Sequence, residues 1–384
     1  MNVMINDTSD DLDTTVEGVQ IAITIFLLVM AALMIPGGKL SDRYGRKRCF
    51  IAGLVVYGIG AVLSAASPGL GLLIVGNSIL EGVGTALLIP PVYILTTLLF
   101  IALIVWLSRR VQDPLPADPA RPFDTGGAIL SAVGLILIVM GILAADNNGW
   151  LMVALIVAGA LVLAWFFRSV RAKERAGQEP LLPTALFRNH TSNLGLVTQN
   201  VQWLLLMGVS FVVSAYLQVV RGYDAIQTGV IFTAVTAGLL ASSLAAERLA
   251  KRRAQRTLIL AGFMITLVGI GTLLAMVIGS PSVWAFAPGL LLIGLGLGLM
   301  LTPSVNVVQS SFGEELQGEI SGLSRSVSNL GSSLGTAIAG TVLVAGITST
   351  PGRSYGLAMI VLAAAGLVGL VASLFLPHAA APPK

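Results

Sequence analysis

GGKLSDRYGRKR, residues 37–48, lies between two apolar runs and carries five cations, Lys39, Arg43, Arg46, Lys47 and Arg48, against one acid, Asp42. The gap is too short to hold a domain. Gly38 and Gly45 are placed to let the backbone turn tightly and approach a neighbour closely. A short cationic segment between two membrane-length apolar segments fixes which end of the chain faces which side of a bilayer.

The rest of the chain fits that reading. Of its 384 residues 55% are hydrophobic and 10% charged, with mean hydropathy +0.90, whereas soluble proteins carry about 25% charged residues. No soluble fold hides so much apolar surface, so the chain is read as an all-α polytopic membrane protein with the lipid bilayer as its solvent. A net charge of +4, carried by loops rather than by one basic face, argues against nucleic acid as a partner. The single cysteine, Cys49, rules out an internal disulfide framework; it reads as a packed thiol, with S-acylation at the membrane surface the other use. The opening residues are acidic (Asp7, Asp10, Asp11, Asp13, Glu17) and do not have the pattern of a cleavable signal peptide.

A membrane helix needs about 20 mostly apolar residues. Candidates fall near 18–37, 48–67, 72–107, 125–144, 150–168, 195–220, 226–246, 257–279, 284–309, 318–347 and 356–377, about 11 membrane helices. The third is too long for one ordinary crossing and too short for two. Placing residues 37–48 in the cytoplasm and alternating sides puts all but Arg221, Arg325 and Arg353 of the 22 Lys and Arg on the cytoplasmic side, as the positive-inside rule requires. That holds if 72–107 crosses an odd number of times; the N-terminus is then outside and the C-terminus cytoplasmic. A shift of 209 residues lays KLSDRYGRKRCFIAG (39–53) on RLAKRRAQRTLILAG (248–262), as expected of a parallel internal repeat or of any two basic loops.

The pattern G-x-L-S-D-R-x-G-R-K-R resembles the loop between the second and third helices of major facilitator superfamily (MFS) transporters. IVGNSILEGVGTALLIPP (74–91) resembles the fourth helix of that family's drug:proton antiporter branch with fourteen helices. There a basic residue often takes the place of Ser78, and a glutamine or glutamate that of Glu81. RPFDTGGAILSAVGL (121–135) resembles the entry to the branch's central hairpin, EPLLPTALFRN (179–189) the loop after it, and GEISGLSRSVSNLGSSLGTAIAG (318–340) its thirteenth helix. The resemblance implies a two-bundle fold with an incomplete N-terminal bundle. The chain begins at what looks like the end of the first helix, the fifth has no counterpart, and the fourth and sixth look joined at Phe100–Ile101. The divisions expected are 1–107, an incomplete N-terminal bundle; 108–192, the central hairpin and cytoplasmic linkers; and 193–384, a C-terminal six-helix bundle.

By resemblance the chain is a proton-coupled carrier in the plasma (inner) membrane. It would export lipophilic or drug-like small molecules, cationic ones among them, by alternating access, with protons as the second partner. An alternative of a different class is a transport-incompetent protein that inserts and acts at most as an interaction partner. Glu81, about 13 Å into its span, is the candidate proton-coupling acid, because an intramembrane carboxylate is a functional hypothesis by default. Asn77, Ser78 and Thr85 share its stripe at helical spacing and, with Gln199, Gln202, Trp203, Asn306 and Arg325, are candidates for a substrate cavity. Interhelical hydrogen bonding is the competing role for these polar residues, and snorkelling to the surface that for Arg325. Gly38, Asp42, Arg43, Gly45 and Arg46 are read as a cytoplasmic gating loop, since a carboxylate near a helix N-terminus and cations near a C-terminus are favourable. No Walker-type G-x-x-x-x-G-K-[ST] loop, metal-ligand cluster or catalytic constellation is present, so neither cofactor nor enzymatic activity is expected.

Overall fold

The computed structural model describes residues 5–44, 46–87, 124–144, 148–178, 180–250, 253–277, 282–313, 316–346 and 350–377. The side chains of Gly38, Asp42 and Arg46, all of Gly45, and the Phe100–Ile101 junction lie outside the described set. Among the described residues there are helices and turns and no strand. A short α1 (Ile5–Asp11) precedes α2 (Val16–Tyr44), α3 (Arg46–Ala65) and α4 (Leu70–Leu87). Then come the hairpin α5 (Thr125–Leu143) and α6 (Gly149–Arg175), and α7 (His190–Ala215, continued to Val220). The last five are α8 (Ala225–Ala250), α9 (Gln255–Val277), α10 (Phe286–Gln309), α11 (Gln317–Val344) and α12 (Pro351–Leu374). Eleven of these, α2 to α12, are long and apolar enough to cross a membrane.

Two expectations are corrected. Residues 37–44 and 46–48 are helical and not loop: α2 runs on through Pro36, Gly37 and Gly38 to Tyr44, and α3 starts at Arg46. The basic residues here flank an almost direct helix-to-helix junction, because a helix satisfies its own backbone while its last turns leave the hydrocarbon. Gly37 serves close packing, since a Cβ there would lie 2.7 Å from the Ala86 carbonyl oxygen. Of the third span, Leu70–Leu87 by itself has the length of an ordinary crossing. Leu70 sits beside Gly18 at the start of α2 and Ala86 beside Gly37 near its end, so 70–87 already passes from one side to the other. The remainder of 72–107 lies outside the described residues.

Small residues hold the helices together, as expected where lipid removes the hydrophobic drive between them. A Cβ on Gly60 of α3 would lie 2.7 Å from the Gly76 carbonyl oxygen of α4, and one on Gly269 of α9 would lie 2.9 Å from that of Gly289 of α10. Gly60 and Gly269 are 209 residues apart, the offset of the sequence repeat. The two halves therefore share a helix-pair contact as well as a basic junction.

The junction α2–α3, the start of α5, the end of α6 and the start of α7 all lie at one end of the helix array. The order follows from α2 and α11 running antiparallel, Gln20 of α2 meeting the Ala337 carbonyl at 3.3 Å while Ser326 donates to the Ala31 carbonyl. At that end Leu181, Leu182 and Leu186 of the segment before α7 are buried among Ala128, Phe166, Val170, Leu196, Val308, Ile320 and Leu323. This strap ties the hairpin to α7, α10 and α11. Cys49 is buried at the junction end of α3, with its thiol 3.4 Å from the Leu40 carbonyl oxygen.

Candidate functional site

The faces of α11 locate the space between the bundles. Ser324 and Ser328 meet α7: the Ser324 hydroxyl donates to Gln199 Oε1 at 2.9 Å, and Gln199 Nε2 donates to Ser328 Oγ at 2.8 Å. Ser326 and Ser333 meet α2, donating to the carbonyls of Ala31 and, at 3.3 Å, Thr24. Leu330 packs with Val139 and Leu135 of the hairpin. At about 100° per residue, one stripe remains, Arg325, Asn329, Ser332 and Thr336, continued at its start by Ser321, which accepts from Gln309 of α10 at 3.2 Å. It lies on the side of α11 opposite the hairpin, between the faces that meet α2 and α7.

The α2 wall of that space is apolar. Ala22 and Val29 contact α4 while Thr24 and Ala31 contact α11, which leaves Ile23, Leu27, Met30 and Met34 facing inward. At the end where α2 begins, Ile5, Val19 and Ile23 are buried in one cluster with Tyr216, Leu343 and Tyr355, closing the space. Arg325, about 12 Å into α11 from the other end, is exposed. One wall thus offers hydrogen bonds and a cation, the other offers methionines that adapt to varied apolar shapes.

Ser332 and Thr336 are buried, and Asn329 Nδ2 is buried without a partner among the described residues. Gln202 donates to the Leu297 carbonyl of α10 at 3.3 Å, and its Oε1 has no partner among the described residues. Trp203 and Asn306 are half-buried. Gln199 is committed to the α7–α11 contact.

The α4 stripe separates. Ile74–Glu81 is π-helical, and such a stretch commonly marks a functional site. Ser78 donates to the Ala22 carbonyl of α2 at 2.7 Å. Glu81 turns to α3: its Oε1 accepts from Ser64 at 3.1 Å and its Oε2 from Asn77 at 3.3 Å, with the Tyr57 hydroxyl beside it. The Thr85 hydroxyl donates to the Glu81 carbonyl at 2.6 Å. Asn77 and Glu81 therefore belong to one cluster, Ser78 to another contact, and neither is joined to the α11 stripe by a hydrogen bond among the described residues. Of the junction residues, Arg43 lies over the Tyr44 ring with Cζ 5.4 Å from its centroid.

Asp124 and Asn329 escape a reading from sequence. Asp124 caps α5, accepting from the Gly127 amide at 2.7 Å, from the Leu181 amide of the strap at 3.1 Å, and from the Lys173 ammonium. Burial raises its carboxyl, but the Lys173 ammonium and the two amides outweigh that and hold it below the usual carboxylate range. The available signal was an aspartate directly before an apolar run with a glycine three residues on, an N-cap pattern. For Asn329 the signal was its place, four residues from Arg325, on the same helical face.

The family model described as Major Facilitator Superfamily matches residues 1–336. The puromycin resistance protein pur8 of Streptomyces alboniger is 27% identical over 89% of this chain and 77% of its own length. The probable actinorhodin transporter of Streptomyces coelicolor is 24% identical over 89% of this chain and 68% of its own. The multidrug efflux pump LfrA of Mycolicibacterium smegmatis is 25% identical over 84% and 73%. Among solved structures, a point mutant of the nucleoside transporter NupG superposes with a TM-score of 0.58 at 14% identity, covering 98% of this chain and 94% of that one, a likeness of fold.

Proposed function

The chain belongs to the major facilitator superfamily, and on that premise we propose that it is a membrane carrier exporting lipophilic, drug-like compounds in exchange for protons. The relatives are resistance and efflux proteins for chemically unrelated compounds, a breadth that suits a binding wall of methionine and aliphatic side chains. One observation carries the reading. The polar α11 stripe from Arg325 to Thr336 is set against the apolar α2 face, with the helices packed together at one end through Ile23, Tyr216, Leu343 and Tyr355 and Arg325 exposed nearer the other. A polar and an apolar face meeting between two bundles is what an alternating-access carrier needs to hold an amphipathic substrate.

The concentration of cations at the junction end supports assigning that end to the cytoplasm of a plasma-membrane protein, with the C-terminus there too. Gln202, Asn329 and Arg325 contact the substrate, while Glu81 takes up and releases the coupled proton within its α3–α4 cluster. Asp42, Arg43 and Arg46 latch the cytoplasmic side. Residues 1–107 and 193–384 move as opposing bodies, and 108–192 supplies the hairpin and strap.

The test is accumulation of ethidium in an efflux-deficient bacterium. Cells expressing the chain hold less dye than cells expressing Asn329→Leu, with both proteins present in the membrane at equal amounts. Equal accumulation in expressing and non-expressing cells contradicts the export reading.

A further inference from the structure

The end of α6 sorts its charges by face. On the inner face Lys173 pairs with Asp124, and Glu174 is held by Thr184, whose amide and hydroxyl donate to the carboxylate at 2.6 and 2.7 Å. On the outer face Arg168, Arg171 and Arg175 are exposed, at i, i+3 and i+7 and so on one side of the helix. Among the described residues the nearby acids Asp124 and Glu174 already serve the strap; Arg171 and Arg188 lie within electrostatic range of Glu174, but its oxygens are occupied by Thr184.

The same outer face continues up the helix as Trp165, Leu161, Val157, Val153 and Trp150, all exposed, with Trp150 at 87%. The two tryptophans are fifteen positions apart, about 22 Å along the helix, and tryptophans concentrate at the two membrane interfaces. Arg168 lies one turn beyond Trp165, in the headgroup layer, and Arg175 about 10 Å further along the axis. Cations at this depth attract the phosphates of anionic headgroups.

We propose that Arg168, Arg171 and Arg175, beneath Trp165, form a binding site for the phosphate of anionic phospholipid headgroups on the outer face of the hairpin. Acyl chains lie along Leu161 and Val157 while the phosphates sit among the guanidinium groups. The site needs only that the chain be inserted in a bilayer and does not depend on the export reading.

The test is native mass spectrometry of the full chain released from nanodiscs of equal parts phosphatidylglycerol and phosphatidylcholine. The wild-type chain retains phosphatidylglycerol several-fold over phosphatidylcholine. The triple change Arg168→Gln, Arg171→Gln, Arg175→Gln abolishes the preference, the corresponding triple change to Lys keeps it, and Arg168→Gln alone reduces it. Arg248→Gln with Arg253→Gln, at another exposed basic junction, leaves it unchanged. Equal retention of the two lipids overturns the proposal, as does a preference that survives the Gln triple, falls with the Lys triple, or falls equally with the α8–α9 pair. Displacement by millimolar inorganic phosphate or glycerol phosphate would mark a soluble-phosphate site and overturn the lipid assignment.

Discussion

Glu81 accepts hydrogen bonds from Ser64 and Asn77 where α3 and α4 touch, so its environment is polar although its position is deep. Glu81→Gln keeps an acceptor for Ser64 and nearly the same volume, and its expected cost to folding is about 1 kcal/mol or less. Its expected effect on proton-coupled efflux is at least about tenfold, because an amide cannot carry the proton. Parallel thermal-unfolding and dye-efflux measurements on the purified variant check both; a large loss of stability with efflux retained makes Glu81 a structural acid. Arg325 belongs to the same scale. Depth alone left snorkelling and substrate contact open; the hydrogen bonds of Ser324, Ser326 and Ser328 put Arg325 on the α11 face between α2 and α7, where its side chain is exposed. That could not be read from sequence, since it depends on which helices flank α11.

The hairpin and strap show what an element-level reading gains and misses. The spans of α5 and α6 follow from apolar length, and the basic end of α6 was visible in the charge pattern. The strap was not, because its burial depends on Leu181, Leu182 and Leu186 meeting residues from five different helices. Asp124 pins that strap. Asp124→Asn loses the charge pair with Lys173 and is expected to cost about 1–3 kcal/mol. Since the folded carboxyl is held below its ordinary value, its contribution is complete above the unfolded value of about 3.9. It is lost only as pH falls through the lower folded value. The difference in unfolding free energy between wild type and Asp124→Asn should therefore be flat from about pH 5 to 8 and shrink below about pH 4; a difference that changes near neutral pH counts against this. Helix contacts give a second element-scale test. Gly269→Ala forces a Cβ into the Gly289 backbone, whereas Gly271 has nothing within 4 Å. Gly269→Ala should cost about 1–3 kcal/mol and Gly271→Ala nothing measurable in the same thermal-shift series.

At the scale of the molecule, the number of spans and the clustering of cations were legible from apolar length and charge alone, because both are set by the bilayer. The helix-to-helix junction between Tyr44 and Arg46 was not, since Gly and Pro near a charged stretch read as a loop when helix ends beyond the hydrocarbon obey no apolar pattern. The repeat was legible as a faint 209-residue offset and gains physical content from the matched close approaches of Gly60 and Gly269. What these levels add up to is the proposed exporter, with a polar α11 face set against an apolar α2 face and Glu81 as its proposed proton-coupling acid. The most direct measurement is proton release from acid-loaded inside-out vesicles containing this chain, on addition of a lipophilic cation, beside vesicles with Glu81→Gln. Release from the wild-type chain that disappears in Glu81→Gln is the expected result. No release from correctly inserted wild-type protein would contradict proton-coupled export and favour a membrane protein that does not transport.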